Sequence, residues 1–216
     1  MGSGKSTTMR FVAKRLQDAN REALAIHERT DPHPVRGTDG LEHWFQPWLD
    51  TTPGQLAARS VARWTSLVDA SRSDGVIRVM DGQLFHGDLT NLFLMEAGPA
   101  TLADHSLAVA AAIAALNPLV IYLRQEDVEQ AIRAVCEERG ADWLAYQVDW
   151  KLAAPYSVRR DLKGLEGLIA LYQDYRRLTD ELFESLPVAK LAIDKSEQDW
   201  PAYQRRILQA LGLAET

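Results

Sequence analysis

The tetrapeptide Gly4-Lys5-Ser6-Thr7, with the amphipathic run behind it, constrains this chain more than any other stretch. Gly-Lys-Ser closes the pattern G-x-x-x-x-G-K-[ST]. In a loop that opens a helix, glycines let backbone N–H groups turn inward around an anion, and the first helical turn adds unpaired donors and the positive end of the dipole. Met9, Val12, Leu16 and Ala19 continue at helical spacing, which predicts a helix over about 6–20. In that arrangement Gly2, Ser3, Gly4, Lys5, Ser6 and Thr7 cradle phosphates, Lys5 reaches the terminal phosphates as a point charge, and the Ser6 hydroxyl ligates Mg²⁺. A glycine/serine start also reads as an expression scar or a tail, but the unbroken passage into an apolar stripe favours the loop. The pattern's first glycine would fall two places before Met1. The expectation is therefore a native start about 8–15 residues upstream, carrying a mid-sheet strand whose loss exposes two strand edges.

Further along, Ala23–Ile26 reads as a short strand, and His27-Glu28-Arg29-Thr30-Asp31-Pro32 leaves its carboxyl end, where ligands of open parallel sheets bind. The segment 31–54 is broken by prolines and glycines, with room for a short helix over 41–50. Its Trp44, Phe45 and Trp48 fit a base-stacking wall or a local hydrophobic plug equally well. A helix over about 55–72 precedes the strand Val76–Met80, which ends in Asp81-Gly82-Gln83. A carboxylate at that tip can orient Mg²⁺ or accept a proton from an acceptor, although it can also merely cap a turn. His86 lies in a site-lining loop, as an acceptor contact or a structural histidine, and Asp88 fits an N-cap. A small-residue helix follows over 101–116, and Leu119–Leu123 is a continuous apolar run of the kind buried on both sheet faces. A helix to Arg139 stops at Gly140, a further helix fits 142–152, and 153–163 reads as a loop with Arg159 and Arg160. Such a basic loop is either a solvated turn or a closing lid whose arginines steady a transferring phosphoryl group. A long helix over 164–186, a strand over 188–193 and a closing helix begun by Asp199 and Pro201 complete the chain, with Asp194-Lys195-Ser196 placed to touch a base. Strands alternating with helices make this an α/β chain, a mainly parallel sheet wrapped by helices.

Length and composition fit one α/β domain over 1–216. A net charge of −6 argues against a nucleic-acid polymer as partner. The single cysteine, Cys136, excludes a disulfide framework or cysteine metal cluster within the chain and is most simply a packing residue. No leader is evident, and the nearest apolar run, 107–116, is shorter than a membrane span, so a cytoplasmic enzyme without membrane contact is expected.

From the loop to the last helix the chain resembles the P-loop nucleoside and nucleotide kinases, which include thymidylate kinase and deoxynucleoside kinases. The resemblance rests on Gly4-Lys5-Ser6-Thr7, on Asp81 at a strand tip, and on a helix ending Arg139-Gly140 ahead of an arginine-bearing segment. It implies a three-layer sandwich, Mg²⁺ with ATP as phosphoryl donor, and a single domain with an acceptor-side insertion at 31–54 and a lid at 141–163. It further implies that Arg139, Arg159 and Arg160 clamp the donor phosphates. Glu28-Arg29-Thr30-Asp31-Pro32 stands where thymidylate kinases carry Arg-Glu-Pro in another order, and no arginine follows Asp81. The acceptor is expected among Glu28, Arg29, Trp44, Trp48, Gln83 and His86, and a nucleoside or nucleoside monophosphate is the expected acceptor. Transfer would use Lys5, Asp81, Arg159 and Arg160, with Ser6 and Asp81 on the metal side, and a homodimer stays open. The competing expectation is an ATP-binding regulatory protein that hydrolyses slowly or not at all. Neither an Asn-Lys-x-Asp box nor a transporter signature occurs in the sequence.

Overall fold

A computed structural model describes residues 4–195 and 199–213. Gly2, Ser3 and Ser196 lie outside the described residues. In chain order the elements are α1 (Lys5–Asp18), β1 (Ala23–Ile26), α2 (Pro53–Ser71), β2 (Ile77–Met80), α3 (Gln83–His86), α4 (Asp88–Leu94) and α5 (Pro99–Ile113). They continue as β3 (Leu119–Arg124), α6 (Val128–Arg139), α7 (Ala141–Lys151), α8 (Pro155–Arg159), α9 (Gly164–Ser185), β4 (Ala189–Asp194) and α10 (Trp200–Ala210). The chain is thus α/β, with parallel strand pairs. Local chemistry accounts for several boundaries. Thr52 closes a capping box with Gln55 before α2, Asp127 accepts from the Gln130 amide before α6, and Asp199 accepts from Ala202 N at 3.0 Å before α10.

The strands do not form the one sheet that the alternation predicts. Among the described residues there are two parallel pairs, β1–β2 with Ala23 opposite Ile77, and β3–β4 with Leu119 opposite Ala189. α1 spans both pairs. Its Val12 and Leu16 join one apolar cluster with Ile193 of β4, against which Val79 of β2 and Ile121 of β3 also pack. Between β2 and β3 lies a cavity of about 710 Å³. It explains why Leu119–Leu123 is only half-buried although its apolar run predicts burial on both faces. A larger core gathers Leu56, Leu92, Ile132, Leu168 and Leu182 from the helices on the far side.

Before α2 begins at Pro53, segment 31–54 carries no α-helix; only Pro47–Leu49 makes a single 3₁₀ turn where a short helix was expected over 41–50. It is pinned instead by buried polar contacts. Arg36 donates to the Glu28 carbonyl at 2.7 Å and pairs with Asp39 at 3.0 Å, and the Gly37 amide donates to Asp88 Oδ2 at 2.8 Å. His33, fully buried, accepts from the Val35 amide, and burial pulls its pKa down to about 4, so it is neutral there. Asp88 consequently does not cap its own helix as expected: Gly87 holds that position, and the Asp88 carboxylate clamps the insertion from across the fold.

Residues 153–163 are also more ordered than a loop, because Pro155 starts α8 and the Tyr156 hydroxyl donates to Asp174 at 2.6 Å. The stretch Pro99–Leu116 is long and apolar enough to cross a membrane by length and composition, and one third of it is buried within the fold, where α5 packs on α2 and α4.

Replacing Asp88 by alanine leaves the buried Gly37 amide without an acceptor and should cost about 1–3 kcal/mol of stability. Asp88→Asn, which keeps an acceptor oxygen, should cost clearly less; equal losses for the two variants in urea unfolding would contradict the clamp.

Candidate functional site

The site begins where α1 does. Gly4 has φ +78° and its carbonyl accepts the first helical bond, from Thr8 N at 2.9 Å, so the Lys5, Ser6 and Thr7 amides precede the intrahelical ladder. No acidic side chain occupies this first turn. The Trp200 ring lies directly on Gly4: a Cβ there would come within 2.2 Å of it, so any side chain would collide. Lys195 Nζ stands 5.0 Å from the centre of the same ring. Burial, and then the Lys5 charge, pull the Lys195 pKa down. Two ammonium groups thus act on one helix N-terminus, a field that favours a multiply charged anion.

Ser6, in the first turn of α1, donates its hydroxyl proton to Asp81 Oδ2 across a sequence separation of 75 residues. The Asp81 carboxylate is only 2% exposed, and its other oxygen accepts the Glu28 amide at 2.5 Å. His27 completes the chain of bonds. Its Nδ1 accepts the Arg29 amide at 3.1 Å, which leaves the proton on Nε2, 3.2 Å from Ser6 Oγ and 3.7 Å from Asp81 Oδ2. Gly82, with φ +72°, turns the chain away beneath Glu28 and Lys5; a Cβ there would sit 3.0 Å from Glu28 Oε2 and 3.2 Å from Lys5 Cε.

A serine hydroxyl beside a buried carboxylate is a hard oxygen pair. Mg²⁺ is usually held by one or two such protein groups, directly or through water, with phosphates and waters completing its shell, so Ser6 and Asp81 fit it. No cluster of three or more His, Cys, Asp or Glu side chains suited to a metal occurs among the described residues, which is no obstacle to an ion held chiefly by a substrate.

Beside the loop lies a second polar patch. Glu28 Oε2 is 3.9 Å from Lys5 Nζ and 3.8 Å from His86 Nε2. Burial first, then the Lys5 and Lys151 charges, hold the His86 pKa well below the ordinary histidine value, so His86 faces Glu28 as a neutral ring. Lys151, on α7, is 2% exposed, rests 3.8 Å above the Trp150 ring and lies 5.8 Å from that of Tyr172. Its burial pulls its pKa down to about 8, against the opposing pull of Glu28. The Tyr172 hydroxyl is pushed upward by burial and by the charges of its surroundings. Glu28 Oε2, Lys151 Nζ and the Tyr172 hydroxyl are all buried without a hydrogen-bond partner among the described residues. Leaving such groups unsatisfied costs about 1–3 kcal/mol each, so among the described residues the patch has spare capacity for polar atoms. Lys5, Gln83, His86 and Tyr172 line the cavity that continues between β2 and β3.

The expected site residues therefore divide. Gly4, Lys5, Ser6, Thr7, Asp81, Glu28, Gln83 and His86 gather around the start of α1. Arg29 is exposed, with its backbone amide holding His27. Of the aromatics, Trp48 packs against the large core as a plug, whereas Trp44 is 41% exposed, stacked with Phe45 and covered by Arg36. Phe45 is held in turn by α7, since Trp150 Nε1 donates to its carbonyl at 2.5 Å. The structure does not bring the arginines to the loop. Arg139 lies over Trp143, while Arg159 and Arg160 pair with Glu96 at 3.4 and 2.6 Å. Cys136 is half-buried, with its thiol pKa raised by burial, consistent with a packing role.

His27, Lys151, Tyr172 and Lys195 were not singled out for the roles their geometry gives them. His27 was legible in part, because its hexapeptide leaves a strand tip. Nothing local marks Lys151, whose neighbours Asp149 and Trp150 read as an ordinary amphipathic turn. No protein family, curated protein or solved structure matched the chain.

Lys151 gives the patch a testable signature. A lysine whose folded pKa is depressed weakens the folded state at neutral pH, and that penalty disappears as pH rises from about 8 through the unfolded value near 10.5. Lys151→Met should raise stability at pH 7 by on the order of 1–2 kcal/mol, after the lost contact with Trp150, and the gain should shrink towards pH 10.5. Denaturation curves that show a loss at pH 7, or a pH-independent gain, would contradict this placement.

Proposed function

We propose that the chain is a P-loop phosphotransferase that moves the γ-phosphate of Mg-ATP to a small acceptor. The observation that carries this reading is the bond between Ser6, just after Lys5 at the N-terminus of α1, and the buried Asp81 at the tip of β2. A helix terminus, a lysine and a hydroxyl–carboxylate pair supply the parts phosphoryl transfer needs: donors for the phosphates, a mobile positive charge, and oxygens for a divalent cation. In this reading the fold is the three-layer, nucleotide-kinase-like sandwich, and the enzyme is cytoplasmic.

The polyphosphate of ATP lies along the Lys5–Thr7 amides, with Lys5 and Lys195 offsetting its charge. Ser6, with Asp81 behind it, would hold Mg²⁺, which would supply polarisation of the terminal phosphate. The acceptor enters the patch of Glu28, His86, Lys151 and Tyr172, where Glu28 accepts hydrogen bonds and Lys151 donates them. A nucleoside or nucleoside monophosphate satisfies such mixed demands through its sugar hydroxyls and base edges. Asp81 or Glu28 takes the hydroxyl proton as the new P–O bond forms and the bond to ADP breaks.

One observation favours a second reading, an ATP-binding regulator that hydrolyses slowly. Arg159 and Arg160 are engaged by Glu96, so the charge that a closing arginine would supply is not at the loop. Acceptor dependence separates the two. ADP release from Mg-ATP should rise with one member of a panel of nucleosides, nucleoside monophosphates and unrelated alcohols, and should fall on the order of 10²-fold or more in Lys5→Ala and Asp81→Asn. Release indifferent to every acceptor would transfer the assignment to the regulator; near-normal transfer by Lys5→Ala would remove the loop from either account.

A further inference from the structure

The start of α1 is served by a pair of residues from the far end of the chain, Lys195 and Trp200. We propose that Trp200 is a positioning residue of the phosphate site: its indole holds the Lys195 ammonium beside the N-terminus of α1, so that Lys5 and Lys195 together recognise a polyphosphate. This inference rests on the reading of α1 as a phosphate site, and it does not depend on transfer to an acceptor.

Lys195 is restrained along its whole length and yet has no counter-ion. Its backbone amide donates to the Arg124 carbonyl at 3.0 Å, which carries the β3–β4 pairing one residue past Asp194. Its Nζ lies 5.0 Å from the centre of the Trp200 ring, and the residue is only 9% exposed. Among the described residues no carboxylate offsets its charge; the charge that acts on it is the like charge of Lys5. A buried ammonium is costly unless it is paired, and the face of an indole returns only part of that cost. An anion at the helix terminus, where the Lys5, Ser6 and Thr7 amides are free of the intrahelical ladder, offsets both lysines at once.

Trp200 is itself held without help from a ligand. Asp199 caps α10 by accepting from Ala202 N at 3.0 Å, and Pro201 stands in the first turn, so the helix is anchored where Trp200 begins it. The ring meets that of Tyr203 edge-on, 5.8 Å away at 73°. It borders a small hollow shared with Thr7, Phe11 and Leu123. The same ring lies on Gly4, the residue that opens α1, with its Cη2 atom nearest. One rigid side chain therefore touches both the start of the loop helix and the lysine that lacks a partner, and it sets the distance between them. Without the π face, the flexible stem of Lys195 is free to carry its charge out to water.

Calorimetric titration with inorganic triphosphate, without nucleotide or acceptor, tests this directly. The proteins compared are the wild type, Lys195→Met, Trp200→Leu, Trp200→Phe and the double variant Lys195→Met/Trp200→Leu. Leucine keeps an apolar side chain in the hollow but has no π face, whereas phenylalanine keeps one. Lys195→Met and Trp200→Leu should each weaken binding on the order of tenfold, Trp200→Phe should stay within about threefold of the wild type, and the double variant should lose little more than either single one. Lys195→Met should melt no lower than the wild type, since it removes a buried unpaired charge, so its weaker binding is not a loss of fold. Losses that add in the double variant, equal losses with leucine and phenylalanine, or a leucine variant that binds like the wild type would overturn the positioning role and leave the transfer reading standing. A wild type that does not bind triphosphate would remove both. The predicted coupling without acceptor-dependent ADP release would keep the positioning role and discard transfer.

Discussion

The hydrogen bond from Ser6 to Asp81 is the constraint on which the rest of the site depends. It ties the first turn of α1 to the tip of β2, and the same carboxylate holds the Glu28 amide. Asp81 therefore sets the distance between the phosphate-loop residues and the chain that leaves β1. Neither neighbour is generic. Glycine suits position 82 because the backbone there has φ +72° and a Cβ would crowd Glu28 and Lys5, and position 4 because Trp200 already fills the space. A few short-range steric facts thus fix the approach of three separate segments to one point.

The molecule also carries an imbalance on either side of that point. To one side, Glu28, Lys151 and Tyr172 bury polar atoms that nothing among the described residues satisfies. Alongside it, β2 and β3 each pair on one side only among the described residues and face a shared cavity. The two deficits differ in kind. The first leaves polar side-chain atoms open, the second strand edges. The two adjoin, since Lys5 stands 3.9 Å from Glu28 and lines the cavity, so the order of the first turn of α1 bears on both.

Much of the fold was legible because periodicity and punctuation are local. The stripe Met9, Val12, Leu16 gives α1, the apolar run Leu119–Leu123 gives β3, and Asp199-Trp200-Pro201 opens α10 with the cap its residue types require. The site was legible as far as Gly4-Lys5-Ser6 and Asp81, where residue type and position at a strand tip coincide. The remainder depends on tertiary placement. Asp88 reads as a cap from its neighbours, yet the fold spends its carboxylate on Gly37, 51 residues away. Trp44 and Trp48 look equivalent in sequence, but Trp48 packs half-buried against the core while Trp44 stands exposed. Lys151 becomes unusual only when α7 folds it under Trp150 and beside Tyr172, and no spacing rule announces that burial.

The account stands most directly on Ser6 and Asp81 acting as one unit towards a magnesium–nucleotide complex. Calorimetric titration of ATP, with and without Mg²⁺, into the wild type, Ser6→Ala, Asp81→Asn and the double variant measures that coupling. The account predicts that Mg²⁺ strengthens binding to the wild type, that either single change removes most of this gain, and that the double change removes little more. Binding indifferent to Mg²⁺, or losses that simply add, would contradict it.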